Sequence, residues 1–315
     1  MTRAEIIRDS TARLHDAGWE DARNLAELLL IHAMGVERYH IYLNPHQPVG
    51  GRQKQTFDRM LARSLKHEPL EYITGQAEFF GLELEIQPGV LIPRPETELL
   101  IDHAKRISGD GVRRAMEIGC GSGAMTLALF EQRIAQEVVA VDISLQAIKT
   151  TAANATRYGF FKVDPKKDEH AADLPDNAVL YQRRSLDPVT KREHIDRLWL
   201  ILEDAFSVTF RPPIHPVPLI VSNPPYVTLQ DWENLPPHIK DHEPKEALIA
   251  GEDGFDIHRK LTRRLKNWLS TGGAFVGEIG AGQGETVVKL HQSWAKRVEL
   301  HQDYADLDRI VIAYK

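Results

Sequence analysis

Apolar positions in the first 68 residues recur at helical spacing. Ile6, Ile7 and Leu14, then Leu25, Leu28, Leu29 and Ile31, then Phe57, Met60, Leu61 and Leu65 fall three or four apart. Gly18, Gly35 and the stretch from Asn44-Pro45 to Gly50-Gly51 punctuate them. Thr2 and Glu5 are spaced as a capping box, so the first helix is expected to start at once. From Pro69 to Pro93 the pattern alternates, and residues 78–86 predict a short hairpin or linker sheet.

From Val112 the rhythm becomes strand, glycine loop, helix, strand. Strands are expected over 115–118, 138–142, 179–181, 219–222, 273–278 and 309–314, with helices opening at Ala124 and Leu145. Such alternation predicts an α/β domain, a mostly parallel sheet with helices on both faces. Between Lys162 and Val217 the rhythm weakens. Residues 164–169 read as a charged loop and Ile195–Phe206 as helical; Arg211 to Pro218 reads as an extended connector. We expect an insertion with one helix here, giving a helical domain over 1–68, a linker over 69–98 and an α/β domain over 99–315.

A chain of 315 residues accommodates this division, and 42% hydrophobic with 27% charged residues is a globular composition. The net charge of −6 argues against a protein that coats a nucleic-acid backbone. A single cysteine, Cys120, excludes an internal disulfide and fits a reducing compartment. No apolar stretch approaches the ~20 residues of a membrane helix. With a helix starting at once and no secretory signal, a cytoplasmic protein is expected, or one of the mitochondrial matrix in a eukaryotic cell; a monomer is the default.

Three motifs carry chemistry. Glu117-Ile118-Gly119-Cys120-Gly121-Ser122-Gly123 lies at a strand-to-helix junction, where glycines permit a tight turn and close approach of backbone to a ligand. Asp142 ends the next strand, placed to accept both ribose hydroxyls of a nucleoside cofactor. Gly119, Gly121 and Ala124 also satisfy the dinucleotide fingerprint, so a dehydrogenase stays open on this motif alone. Cys120 has no base placed near it and reads as a packing residue. The later cluster Gly280–Gly284 reads as a plain strand-to-helix loop. The histidines and Cys120 show no metal-ligand spacing.

The second motif, Asn223-Pro224-Pro225-Tyr226, follows the apolar run 218–222 and so stands at a buried strand's end. An Asn oxygen and the Pro224 carbonyl can accept the two N–H bonds of a planar NH2, while the prolines fix φ and remove donors. Tyr226 can cover the flat group. This turn suits transfer of a methyl group to an amide or amino nitrogen. The third, Leu91-Ile92-Pro93-Arg94-Pro95-Glu96-Thr97-Glu98, is a rigid proline turn at a helix start that holds Arg94 as an arm toward a ligand or a second domain.

Together these stretches, with Glu243-Pro244, Ala247-Leu248 and Gly251–Asp256, resemble the HemK/PrmC glutamine methyltransferases that modify peptide chain release factors. The resemblance spans nearly the whole chain outside 162–217 and implies a Rossmann-like methyltransferase sheet beside a small helical substrate-recognition domain. It implies S-adenosylmethionine as cofactor, a release factor as protein partner and no requirement for nucleic acid. The implied target is the glutamine amide nitrogen of a Gly-Gly-Gln tripeptide. By position, Gly119, Cys120, Gly121, Ser122, Gly123 and Asp142, with Asn223, would hold the cofactor. Asn223, Pro224, Pro225, Tyr226 and Arg94 would hold the substrate, with Asn223, Pro224 and Tyr226 catalytic. After the third strand such proteins commonly carry an acidic residue and an aromatic near the adenine. The expected place here reads Gln182-Arg183-Arg184-Ser185-Leu186, with Asp187 as the substitute. A sister group modifies a ribosomal-protein glutamine, and nucleic-acid amino methyltransferases share Asn-Pro-Pro-Tyr. The Pro-Arg-Pro-Glu-Thr-Glu linker favours the release-factor group.

Overall fold

The computed structural model describes residues 1–164, 176–186 and 193–315. It divides into two compact units, Met1–Gln76 with Pro236–His242, and Ala77–Leu235 with Glu243–Lys315.

The first unit contains helices α1 (Arg3–Asp16), α2 (Ala22–Met34), α3 (Arg38–Leu43), α4 (Gly51–Ser64) and α5 (Leu70–Thr74). The Thr2–Glu5 capping box forms in both directions. Gly35 ends α2 in the left-handed conformation, with φ of 65°. Leu14, Leu25, Leu29, Leu30, Phe57 and Leu61 close the core. The segment 236–242 belongs to this unit. His238 stacks on Trp19 with centroids 5.1 Å apart, and the His242 Nε2 lies 3.1 Å from the Lys66 carbonyl.

The second unit opens with a hairpin, β1 (Gln76–Phe79) and β2 (Leu82–Glu85). Its turn residues Phe80 and Gly81 both have positive φ, which matches the twist of the two strands. A short 3₁₀ turn, Pro95–Thr97, leads into α6 (Glu98–Ser108). Next come β3 (Val112–Ile118), α7 (Ala124–Glu131), β4 (Ala135–Asp142), α8 (Leu145–Arg157), β5 (Phe161–Lys162), β6 (Ala178–Leu186), β7 (Glu193–Leu202) and β8 (Val217–Ser222). They are followed by short helices α9 (Leu229–Glu233) and α10 (Pro237–Lys240, in the first unit), then α11 (Asp256–Trp268), β9 (Leu269–Glu278), α12 (Gly284–Gln292), β10 (Arg297–Gln302) and β11 (Asp308–Tyr314).

Among the described residues the main sheet runs β10-β11-β9-β8-β3-β4-β7-β6-β5. The five central strands are parallel, with antiparallel strands at both edges. The strand order reverses between β3 and β8, so the loops that leave their carboxyl ends diverge and open a crevice. Those loops are the glycine loop and the Asn-Pro-Pro-Tyr turn.

Two expectations are corrected. Ile195–Phe206 is not a helix: Glu193–Leu202 is β7, paired in parallel with β4 through Val138↔Leu198 and Asp142↔Leu202. Ile195, Leu198, Trp199 and Leu202 happen to fall at helical spacing, but Leu198 to Ile201 are all buried because both faces of a central strand are covered. Residues 179–181 lie in β6, an antiparallel strand between β7 and β5, and are not the third parallel strand. The stretch 162–217 thus contains a core strand of the sheet. Asp187 and most of the charged loop 164–169 lie outside the described residues.

Candidate active site

The glycine loop is tied to the sheet by its own backbone. Gly119 donates to the Val141 carbonyl and Gly123 to that of Cys120. The Asp142 carboxylate accepts from the Gly121 N–H at 3.0 Å and the Ser144 N–H at 2.8 Å, which fixes it at the crevice edge. Burial raises its pKa from the ordinary value, offset in part by these backbone donors. From α8, Asn154 donates to the Ser122 carbonyl and Thr151 to that of Gly121.

The three glycines differ. A Cβ on Gly119 or Gly121 would meet no protein atom within 4 Å, so both border open space. At Gly123 a Cβ would lie 2.8 Å from the Thr151 Cγ2, so this position is closed by protein. Cys120 and Ser122 are buried, and burial pushes the Cys120 thiol far above its usual value, so it is inert at neutral pH. Full burial likewise raises Glu117 to about 8, although the Thr126 hydroxyl donates to it.

Across the crevice, β8 delivers Asn223-Pro224-Pro225-Tyr226. The Asn223 Nδ2 donates to the Thr97 hydroxyl at 2.9 Å, and Thr97 in turn donates to the Glu278 Oε2 at 2.6 Å. The Tyr226 hydroxyl donates to the Glu278 Oε1 at 3.2 Å. With its NH2 held by Thr97, Asn223 has its amide oxygen left as an acceptor. Burial and the Glu278 charge raise the Tyr226 pKa, so its phenol stays protonated and its ring is the part left for a flat ligand. The Gln283 Nε2 donates to the Tyr226 carbonyl at 3.0 Å while its Oε1 accepts from the Gly280 N–H at 2.9 Å. The second glycine cluster is therefore a strand-to-helix loop that braces the turn.

Arg94 is engaged by protein. Its guanidinium pairs with Glu243, whose other oxygen accepts from the Ile92 N–H at 3.1 Å. The Glu243 side chain is 1% exposed and that of Arg94 28%. The pair closes the proline linker onto the segment that follows α10.

Comparison with known proteins identifies the family. Residues 5–75 match the PrmC N-terminal domain model, and residues 116–180 match that of a methyltransferase domain. The release factor glutamine methyltransferase of Geobacter sulfurreducens is 32% identical over 277 residues, covering 88% of this chain and 84% of that protein. That of Streptomyces coelicolor is 32% identical over 320 residues, 98% of this chain and 96% of that one. The chain belongs to the release factor glutamine methyltransferase family. Among solved structures, the hMettl16 catalytic domain superposes with a TM-score of 0.50 at 13% identity, covering 74% of this chain and 76% of that one; this likeness supports the methyltransferase fold.

Family membership sets aside the dinucleotide reading of Gly119, Gly121 and Ala124. The residues fit S-adenosylmethionine: Gly119 and Gly121 border open space and Asp142 stands fixed beside them. Sequence reasoning missed three contributors to the Asn-Pro-Pro-Tyr turn. Thr97 and Glu278 lie in stretches already singled out, but their contact with Asn223 and Tyr226 is tertiary. Gln283 was passed over with its loop. The acidic residue and aromatic expected near the adenine were placed after residues 179–181, which are not the third parallel strand. The third parallel strand is β7, and Glu203-Asp204-Ala205-Phe206 follows it, with the Asp204 Oδ1 accepting from the Phe206 N–H at 2.8 Å.

Proposed function

We propose that this chain transfers a methyl group from S-adenosylmethionine to the side-chain amide nitrogen of the glutamine in the Gly-Gly-Gln motif of peptide chain release factors. S-adenosylmethionine, when bound, supplies a methyl on an electrophilic sulfonium, so no covalent enzyme intermediate is needed. Asp142 would hold the ribose, and Gly119 and Gly121 leave room for the rest. An amide nitrogen is a feeble nucleophile because its lone pair is delocalised into the carbonyl. The Asn223 oxygen and the Pro224 carbonyl would accept its two N–H bonds, turning the lone pair toward the methyl and stabilising the positive charge that develops on nitrogen. The Tyr226 ring would cover the amide plane, and the methylated nitrogen, now acidic, would lose its proton to water. Alignment supplies most of the acceleration.

The observation that carries this reading is the orientation of Asn223, whose NH2 is engaged by Thr97 so that an acceptor remains for the substrate. The release-factor names of relatives that match nearly the whole chain support the substrate. Among the described residues no helix is long and apolar enough to cross a membrane, and we place the reaction in the cytoplasm, where release factors act.

The test is mass spectrometry of a Gly-Gly-Gln release factor after incubation with the protein and S-adenosylmethionine. One added methyl on that glutamine, lost with Asn223→Ala while cofactor affinity persists, is the expected result. Intact release factor despite calorimetrically measured cofactor binding would overturn the substrate and redirect the search to ribosomal proteins and nucleic acid.

A further inference from the structure

An asparagine amide has two nearly isosteric orientations, and only its hydrogen bonds choose between them. One presents oxygen to the crevice and accepts from an NH2. The other presents NH2 and would welcome a carboxylate or a carbonyl instead. Three chain segments far apart in sequence meet at this choice: the linker at Thr97, the end of β8 at Asn223 and the end of β9 at Glu278. Thr97 is 4% exposed and Glu278 1%, so water does not substitute freely for either partner.

The direction of each bond follows from the last acceptor. An ionised Glu278 only accepts, and it takes hydrogens from Thr97 at 2.6 Å and Tyr226 at 3.2 Å. The single hydrogen of Thr97 is thereby used, and its lone pairs are what remain for Asn223. Burial raises the Glu278 pKa, and the Thr97 hydrogen bond, the positive charge of Arg309 and the Tyr226 hydrogen bond oppose that shift by favouring the ionised carboxylate. Asn223 must then turn N–H toward Thr97 at 2.9 Å and oxygen toward the site.

We propose that Thr97 and Glu278 are positioning residues that lock the Asn223 amide with its oxygen facing the substrate, and thereby make the site selective for a glutamine amide over a glutamate carboxylate. This rests on the reading of Asn223 as the amide acceptor. With the lock in place a glutamate would set anionic oxygens against the Asn223 oxygen and the Pro224 carbonyl. With it removed, Asn223 is free to turn and offer N–H bonds to that carboxylate, so discrimination should narrow even where the fold is intact.

The test uses the full chain with Thr97→Val, which keeps shape and deletes the hydroxyl, and Thr97→Ser, which keeps the hydroxyl. Turnover of a Gly-Gly-Gln release factor should fall ~10- to ~100-fold in T97V, with S-adenosylmethionine affinity within about threefold, and T97S should recover most of the rate. The binding preference for a Gly-Gly-Gln over a Gly-Gly-Glu release factor should shrink in T97V and persist in T97S. Wild-type turnover in T97V, or equal losses in both variants, would overturn the proposal. A substrate-independent arm follows the Asn223 side-chain NH2 by nuclear magnetic resonance. Its hydrogens should exchange slowly in the wild type and T97S, and fast in T97V. Unchanged exchange in T97V overturns the lock whatever the substrate proves to be, whereas an unmethylated release factor with the wild type overturns only the substrate.

Discussion

Substitution of Gly123 by alanine separates packing from ligand binding within the glycine loop. Gly123 has φ of +82°, and an alanine held there costs about 1–2 kcal/mol. Its Cβ would also lie 2.8 Å from the Thr151 Cγ2 and 3.2 Å from the Thr151 Cα, an overlap worth about 1–3 kcal/mol. The sum, about 2–5 kcal/mol, is a large part of the ~5–15 kcal/mol that stabilises a typical domain. Thr151→Ser deletes the offending methyl and keeps the hydroxyl that donates to the Gly121 carbonyl at 3.0 Å, so the double variant should regain about 1 kcal/mol. Gly121→Ala is the contrast. It carries the φ term alone, at +54°, because no protein atom lies within 4 Å of its Cβ, but it should raise the S-adenosylmethionine dissociation constant about tenfold or more. Urea unfolding reads the first quantity and calorimetric titration the second. If Gly121→Ala destabilises the fold more than Gly123→Ala, or if Thr151→Ser restores nothing, the division of the loop into an open and a closed half is refuted.

Three further substitutions probe buried ionisable groups. Arg94→Leu would strand the Glu243 carboxylate and should cost about 3 kcal/mol, whereas Glu243→Gln keeps an acceptor for the Ile92 N–H and should cost about 1 kcal/mol; urea midpoints giving the reverse order would contradict the pairing. His258 and His291 lie with the Nδ1 of one 3.3 Å from the Nε2 of the other, and burial lowers them from 6.5 to about 4 and about 3. Below pH 6.5 the unfolded chain takes up protons that the folded chain refuses. Their contribution is therefore complete above pH 6.5 and is lost as pH falls toward 4, at most ~2.7 kcal/mol per pH unit for two sites. His291→Phe, which keeps the stack on Phe275, should flatten the fall in melting temperature between pH 6.5 and 4.5; an unchanged slope would exclude the pair as the acid-sensitive element.

The chemistry of this chain was more legible in sequence than its topology. Asn223-Pro224-Pro225-Tyr226 and Gly119–Gly123 are local signals, and each needs only a strand before it to end up in the crevice. The strand β7 was misread because Leu198, Trp199, Leu200 and Ile201 are buried on both faces and so carry no two-residue alternation, while Ile195, Leu198, Trp199 and Leu202 imitate a helix. That one error also set the expected acidic residue and aromatic after residues 179–181, at Gln182–Leu186, instead of after β7. The Thr97–Asn223–Glu278 contacts were illegible for another reason. They join positions 97, 223 and 278, and no spacing rule relates residues brought together only by strand order.

The segment 236–242 gives the helical unit a discontinuous parentage. Seven of its residues come from deep within the stretch that otherwise builds the methyltransferase sheet, reached ten residues after Tyr226 and left one residue before Glu243. A fragment cut at residue 76 would therefore lack the imidazole that stacks on Trp19 and the ring that meets the Lys66 carbonyl. The two halves of the protein are consequently not interchangeable modules. Exchanging the helical unit with that of a relative would require moving a second, internal piece as well, the one that carries His238 and His242.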